Sequence, residues 1–543
     1  MFVVYFLLVI GPLVVFHELG HFLLARLFGI RVLEFSVGFG PQIAAFTRGD
    51  TTYRIAPLPL GGYVRILGQD RSEVIPPELE SVSFQSKPLW QRTLVIAAGP
   101  AFSLLLPFIV FFFAALADST VDPAVVGTVR PDGPAAGKLL PGDIVTAVND
   151  EPIDGWWELT RVTSKSAGKP IDYTVRRGDA IVGPITIVPE NDVDFLAPEL
   201  GVSRNVGRIH ITPHFPRPVV VVDPAGAAAK AGLRSWDLVA SVDAVPMRGF
   251  HEVTRALESA HAEGRTARVA VVREGSAPTT LAGVALSGLQ VETLDFPASA
   301  SPLGLSSAEA TVHTVTPGTP AAAAGLLAGD SIVAVDGRPF WTWRLMTVKF
   351  EEDPKATRTL TVARPGREPF LVAVTPDVTT EKGEFNQEMP KVIFGAENRC
   401  SYTVYPDVPN ESRFSYAIYQ SISRTLVETQ KAIGGVVGLF TGKLGLKSMG
   451  GPVFIFQAAS KTEQYGWRYY AYLLAMLSIS LGLLNLLPVP FLDGGHLLFF
   501  LIEAVKRSPV ALRTQQIATY VGLSAILLLM LLVLRNDLLR LFG

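Results

Sequence analysis

His17-Glu18-Leu19-Gly20-His21 places two imidazoles and a carboxylate within five consecutive residues. On a helix, positions four apart share a face, so His17 and His21 can grip one zinc ion. Glu18 beside them offers a carboxylate that can take a proton from a water on that metal. The setting sharpens the motif. Met1 to Phe16 carries no charge, and Phe22 to Leu24 is apolar again. Ionisable groups at membrane depth are costly and are kept for a function. The competing reading is a pair of histidines satisfied by neighbouring helices of a bundle.

A catalytic zinc needs three protein ligands and one open position. The third candidate lies far along the chain, in Asn485-Leu486-Leu487-Pro488-Val489-Pro490-Phe491-Leu492-Asp493-Gly494-Gly495-His496. Asp493 is a lone carboxylate ending an apolar stretch, and buried there unpaired it would be costly; a zinc ion resolves that cost. His496 is the alternative ligand on the same segment. Pro488 and Pro490 break the helix, and freed backbone at membrane depth is tolerated only where it is buried in protein or lines a cavity. Asn485 suits either a helix–helix hydrogen bond or a hold on a substrate backbone near the metal.

These residues must be positioned by apolar helices. Four segments have close to the length a bilayer requires: Phe2–Phe28, Leu94–Leu116, Tyr469–Leu487 and Ile517–Leu534. Basic residues fall between the first two (Arg31, Arg48, Arg54, Arg65, Arg71, Lys87, Arg92) and between the last two (Lys506, Arg507, Arg513). Both loops are therefore expected inside the cell, with the termini and the long central region outside. The whole chain has 543 residues, 49% of them hydrophobic and only 18% charged, which is more apolar than an ordinary soluble protein. The net charge of −2 gives no sign of a nucleic-acid partner, and Cys400, the single cysteine, excludes an intramolecular disulfide or a cysteine zinc cluster.

The central region repeats itself. Pro141-Gly142-Asp143-Ile144-Val145-Thr146-Ala147-Val148-Asn149 recurs from Trp236-Asp237 and again from Gly329-Asp330, and a proline follows each aspartate at Pro152, Pro246 and Pro339. Equal spacing of one pattern means three copies of one domain, each a small β-rich unit with a helix or two. The middle copy departs, with Ser235-Trp236 where the others have Pro141-Gly142 and Ala328-Gly329. After the repeats, Phe414, Ile418, Ile422 and Leu426 recur every four residues among polar neighbours, the pattern of an amphipathic helix at a membrane interface.

The three copies resemble PDZ domains of bacterial proteases, which bind extended peptides or C-termini at a sheet edge. Together with H-E-L-G-H early and N-x-x-P-x-P-x-L-D-G-G late, they make the chain similar to the site-2 protease family of intramembrane zinc metalloproteases, in the bacterial regulator-of-sigma-E protease branch. Gly38-Phe39-Gly40-Pro41, Pro59-Leu60-Gly61-Gly62-Tyr63-Val64, and Gly442-Lys443-Leu444 running to Gly450-Gly451-Pro452-Val453 also match that branch. The resemblance implies His17, His21 and Asp493 as ligands of Zn2+, Glu18 as general base, and Asn485 in substrate binding. It also implies that Val32 to Leu67, with Gly38, Phe39 and Gly40, reads as a membrane-associated β-hairpin offering an edge to an unwound substrate near the Pro488–Pro490 turn.

The expected fold is thus a multi-pass α-helical membrane protein, with about four transmembrane helices, a membrane-associated β-hairpin and three extracytoplasmic PDZ-like α+β domains. Residues 1–120 form the N-terminal membrane half. PDZ-like units occupy 121–195, 215–290 and 305–378, followed by a linker at 379–410. An amphipathic interfacial region at 411–460 leads into the C-terminal membrane half, 461–543. The implied setting is the bacterial inner membrane. The implied activity is regulated cleavage of transmembrane segments of single-span proteins, such as an anti-sigma factor, after a first outer cut. Peptide C-termini at the PDZ units and membrane lipid are further expected partners. Two departures from the branch stand out: Ser103 lies where an asparagine is often found after Gly99-Pro100, and three repeats replace one or two. The alternatives are a membrane-anchored PDZ scaffold with a non-catalytic metal site, or a zinc transporter, which would explain neither Glu18 nor the repeats.

Overall fold

The computed structural model describes residues 2–70, 73–197, 201–274, 279–281, 284–286, 289–298, 303–382, 388–442, 444 and 449–542. Met1, and Lys443 of the Gly442–Leu444 match, lie outside them. The first helix, α1 (Phe2–Leu27), and the second, α2 (Leu89–Leu116), pack side by side. Between them in sequence lies a four-stranded sheet of β1 (Val32–Phe39), β2 (Ala44–Arg48), β3 (Thr51–Ile55) and β4 (Leu58–Ile66), in the order β2-β3-β1-β4. The expected hairpin is therefore a larger unit, because β1 also pairs in parallel with β3. Val32, Val64 and Ile66 of this sheet share a core with Ala25 of α1 and Val95 and Ile96 of α2. β4 is left as an edge strand lying on α1.

The three repeats build three sheets of one design. In spatial order these are Ala180–Ile187, Ile171–Arg177, Ile144–Val148 and Glu151–Pro152; then Val245–Pro246, Leu238–Val242, Ala267–Glu274 and Leu289–Phe296; then Arg338–Pro339, Ser331–Val335, Arg358–Arg364 and Arg367–Val374. The helices are α3 (Trp156–Ser164) in the first, α4 (Ala227–Lys230) and α5 (Phe250–Ala262) in the second, and α6 (Pro320–Ala323) and α7 (Trp343–Glu352) in the third. Asp143, Asp237 and Asp330 are buried, and each accepts a backbone N–H from three residues earlier at 2.8 Å. Each also takes two bonds from one arginine: Arg177 at 2.8 and 2.7 Å, Arg273 at 2.7 and 2.8 Å, Arg364 at 2.6 and 2.8 Å. A carboxylate so enclosed requires its arginine, since removing one partner strands a buried charge. Asn149, Asp243 and Asp336 close the repeated strand with φ of 49°, 49° and 52°, the left-handed region that Asn and Asp tolerate.

Segment 379–410, expected as a polar linker, instead returns through the domain array as paired strands. It forms a hairpin of Asp377–Lys382 with Glu388–Ile393. It then pairs Ala396–Glu397 with Thr314–Val315, Tyr402–Thr403 with Phe215–Pro216, and Val408–Pro409 with Thr120–Val121. The last three strands are two residues long and their partners lie far back in sequence, so local pattern carries no sign of them.

The C-terminal half comprises α8 (Arg413–Phe440), α9 (Pro452–Ser460), α10 (Thr462–Tyr465), α11 (Trp467–Asn485), α12 (Asp493–Lys506) and α13 (Leu512–Phe542). α8 and α11 pack on α2, and α9 packs on α1. The buried Asp537 of α13 caps the start of α9, accepting from the N–H groups of Gly451, Val453 and Phe454 at 3.1, 3.0 and 3.2 Å. Among the described residues three helices are long and apolar enough to cross a membrane, over Leu8–Leu27, Leu89–Leu116 and Leu512–Leu539. The other expected span corresponds to α11, whose first turn, Trp467-Arg468-Tyr469-Tyr470, shortens its apolar run.

Glu309 sits where the second and third repeats meet the returning strand. It is 5% exposed, and its carboxylate accepts from the Tyr402 hydroxyl and the Trp343 N–H, while Asn398 Nδ2 donates to its carbonyl at 3.0 Å. Burial pushes its carboxyl up to about 7, against the opposing effect of the Tyr402 bond. A carboxyl raised in the folded state contributes stability that is complete below its unfolded pKa of 4.5 and is lost as pH rises through about 7. Amide exchange in Tyr402–Thr403, corrected for its intrinsic pH dependence, is expected to speed up between about pH 4.5 and about pH 7 and to level off above that. Glu309→Gln should flatten that rise; an unchanged slope in the variant would assign it to another group.

Candidate metal centre

Two segments far apart in sequence meet at one point. His17 and His21, both 8% exposed, project from the same face of α1. Asp493 is the first residue of α12. The ligand atoms of these three residues all lie within 4.8 Å of one another. His17 Nε2 stands 3.2 Å and His21 Nε2 3.6 Å from Asp493 Oδ2, and the two Nε2 atoms are 3.4 Å apart. Bonds of about 2.0–2.1 Å around a tetrahedral zinc ion place neighbouring ligand atoms about 3.3 Å apart. The other ring nitrogens are committed: His21 Nδ1 to the Val95 carbonyl at 2.9 Å and His17 Nδ1 to Ser103 Oγ at 3.0 Å. Donation from His21 Nδ1 to that carbonyl leaves its Nε2 lone pair facing Asp493, the arrangement outer partners impose on metal-binding histidines. The donor set therefore fits zinc.

Close backbone approach makes the meeting possible. A Cβ on Gly20 would lie 2.3 Å from the Ala98 carbonyl oxygen, so α1 and α2 cross where α1 has no side chain. A Cβ on Gly99 would lie 2.2 Å from His21 Nε2 and 2.8 Å from His17 Nε2. On the opposite side the turn Leu486–Leu492 wraps the start of α12, and added Cβ atoms on Gly494 and Gly495 would meet the carbonyl oxygens of Leu487 and Val489 at 2.2 and 2.3 Å. Arg92 of α2 holds α12 in place through Glu503 at 2.6 Å, both side chains largely buried. Arg92, read in the sequence as a loop charge, is thus part of the bundle.

Glu18, Asn485 and Phe39 line a cavity of about 500 Å3 together with His17, His21 and Asp493. Val64 N–H donates to the Glu18 carboxylate, and Gly62 of β4 allows that strand to lie against α1, since a Cβ there would come 2.8 Å from Val14 and 3.6 Å from Glu18. Phe39 stacks on Tyr63 with ring centroids 6.2 Å apart. Gly38 and Gly40 flank Phe39 with φ of 92° and 106°, and their carbonyls accept from Ser36 Oγ at 3.0 Å and Arg54 Nη2 at 2.5 Å. These two glycines, Pro488 and Pro490 shape the surrounding turns and are not among the cavity's lining residues. His496 packs toward Phe499, centroids 6.5 Å apart, outside the donor group. Sequence reasoning gave no role at the site to Ser103, Gly99, Gln69 and Phe491. The first two lie four apart on α2, a spacing that puts them on one face, but nothing in sequence tells which face meets α1.

Two imidazoles, a carboxylate and an adjacent glutamate facing a cavity make a centre suited to metal-dependent peptide hydrolysis. The family model described as Peptidase family M50 matches residues 5–530. The chain belongs to this family and is a zinc metalloprotease. It is 28% identical over 547 residues to the Regulator of sigma-E protease RseP of Escherichia coli (strain K12), covering 99% of this chain and 98% of that protein. It is 29% identical over 542 residues to Protease RseP of Yersinia pestis, with the same coverages. A Neisseria meningitidis serogroup A relative that carries a zinc-metalloprotease description is 28% identical over 551 residues, with 99% of each chain covered.

The geometry makes Gly99 a sensitive position. Gly99→Ala is expected to abolish zinc retention in the detergent-purified protein, measured by elemental analysis. Gly435→Ala, where an added Cβ meets nothing within 4 Å, should leave it intact. Ser103→Ala should weaken zinc affinity by about tenfold to a hundredfold through loss of the His17 bond. Full zinc content in Gly99→Ala would show that the helices separate to accommodate the methyl group.

Proposed function

We propose that this chain is an intramembrane endopeptidase in which His17, His21 and Asp493 hold the zinc and Glu18 is the general base. The observation that carries the reading is the meeting of those four side chains with the unpartnered edge of β4 in one cavity. When bound, zinc acidifies a water and polarises a carbonyl. Glu18 takes a proton from the attacking water and returns it to the leaving amine. Its N–H donor, Val64, belongs to β4, so the base is oriented by the strand that receives the substrate. A membrane helix buries its peptide bonds in its own ladder and must unwind to be cut. β4 has no strand on its outer side among the described residues, and an unwound segment can add there as a further strand. Asn485 then holds the substrate backbone. Phe39, set by Gly38 and Gly40, and the turn containing Pro488 and Pro490 bound the path.

The substrate class is a single-span membrane protein already trimmed on its outer side, in keeping with the relatives' description as regulators of sigma-E. With α11 counted as a fourth span, the basic residues between the first two helices and between the last two support a reading in which the three PDZ-like units lie outside an inner membrane. There they act as a size filter above the cavity.

The first test is cleavage of a tagged single-span peptide by the detergent-purified chain. Glu18→Gln should lower the rate by about a hundredfold or more with zinc content unchanged, and a chelator should stop the parent enzyme. Parent-like cleavage by Glu18→Gln would end the assignment of the base. For the filter, Thr120–Val121 and Val408–Pro409 are already hydrogen-bonded partners, so residues 122–407 can be removed by joining ends that lie together. That variant should cut untrimmed substrate, and unchanged selectivity would remove the filter from the mechanism.

A further inference from the structure

Trp157 of α3 is 7% exposed and packs on two tyrosines of α8, with ring centroids 5.5 Å from Tyr416 and 5.4 Å from Tyr419. This contact seats the first repeat on α8, and beside it runs a groove of about 700 Å3. Its floor includes Ile418, Ile422 and Leu426, spaced four apart on one helix face and still 41%, 45% and 53% exposed. Its opposite wall carries Arg161, Lys165 and Arg204, with Glu158 as the one acid among the lining residues. The Glu158 carboxylate is committed to the Asp154 N–H at 2.6 Å, and Arg204 is held by Asp194 at 3.0 Å. Arg161 and Lys165 have no ion pair among the described residues. Arg161 lies over the Trp157 ring at 5.6 Å with its Nε buried and without a hydrogen-bond partner.

The groove lies at the level of an aromatic belt. Tyr465, Trp467, Tyr469, Tyr470 and Tyr472 crowd the start of α11, and Arg468 there pairs with Asp118, just past the end of α2, at 2.6 Å. Phe112 of α2 meets Phe414 of α8 with centroids 5.6 Å apart. Trp and Tyr collect where headgroups meet acyl chains, and basic side chains at that depth attract anionic headgroups.

We propose that this groove binds an anionic phospholipid, with its phosphate on Arg161 and Lys165 and an acyl chain along Ile418, Ile422 and Leu426. The inference rests on the reading of the bundle as membrane-spanning with the repeats outside. Charge selects the occupant. A free phosphate makes no use of the apolar floor, and an apolar substrate helix leaves two cations unanswered. The bound lipid joins repeat and α8 through its two ends.

The test uses the full-length protein in a zwitterionic detergent, with dioleoyl phosphatidylglycerol, dioleoyl phosphatidylcholine and glycerol 3-phosphate as probes and native mass spectrometry as readout. Phosphatidylglycerol should bind about tenfold tighter than phosphatidylcholine, and Arg161→Gln with Lys165→Gln should erase the difference. Lys165→Gln alone, exposed and away from the Trp157 packing, should reduce it partway, which separates headgroup recognition from damage to the repeat. Equal binding of the two lipids, unchanged preference in both variants, or displacement of phosphatidylglycerol by glycerol 3-phosphate would each overturn the proposal. Zinc-dependent peptide cleavage measured on the same samples reports separately on the protease reading, so the two can fail independently.

Discussion

Everything at the metal centre depends on how closely α1 and α2 approach. Two helices carrying ordinary side chains stand about 8–10 Å apart, too far for the α2 backbone to serve histidines on α1. Gly20 and Gly99 remove the side chains at the crossing, with the Ala98 carbonyl 2.3 Å from a would-be Cβ on Gly20. Small residues are the usual means of close packing where lipid supplies no hydrophobic drive. Here the approach has a chemical consequence. It brings the Val95 carbonyl and the Ser103 hydroxyl within bonding distance of the two imidazoles. Ser478 of α11 in turn donates to the Ser103 carbonyl at 2.6 Å, so a third helix is bound to the same spot. In an apolar bundle each such group must be satisfied within the protein, and here the partners are the histidines and a third helix.

The repeats obey a second geometric rule. In the first two repeats, the loop position that precedes the repeated aspartate touches the next repeat. A Cβ on Gly142 would stand 3.3 Å from His251 of the second repeat. The equivalent position of the second repeat is Trp236, at φ 77°, whose ring lies 4.6 Å from His313 of the third. The odd Ser235-Trp236 is therefore a docking point, where a tryptophan in the left-handed region sets its ring against His313 of the neighbour. His210, on the segment between the first and second repeats, meets Trp341 of the third with ring centroids 6.0 Å apart and closes the array on itself. Burial of His251 between the first two repeats pushes its imidazole down to about 4, so it stays neutral and adds no charge to that contact.

The candidate centre was legible in sequence because it rests on residue type and short spacing: His17 and His21 on one helical face with Glu18 beside them, and Asp493 isolated in an apolar run. So was the threefold repeat, including the Asn or Asp that ends each repeated strand. What sequence hid was non-local. Arg177, Arg273 and Arg364 sit 34 to 36 residues after the aspartates they serve, and no local pattern announces them. The strands of 396–409 are too short to show alternation. Gly99 and Ser103 were visible as residues, but their partners are fixed only by helix rotation. The count of spans differs for a related reason: α11 trades apolar length at its start for tyrosines and Arg468, which hold the end of α2.

α2 belongs to both halves of the molecule. Its last turn touches α8 through Phe112, and the chain leaving it pairs with the strand that closes the domain array. Gly99, seventeen residues before Leu116, sits about 25 Å lower at 1.5 Å per residue and packs on the histidines. The interactions along that length are stiff ones: an arginine pair to α12, a hydroxyl network to α11 and a backbone crossing with α1. A domain array mounted on such a helix is held in register with the metal, which a flexible tether would not achieve. That register is what the proposed filter requires, because excluding a bulky domain works only if the obstacle keeps its place relative to the cavity that Glu18 lines.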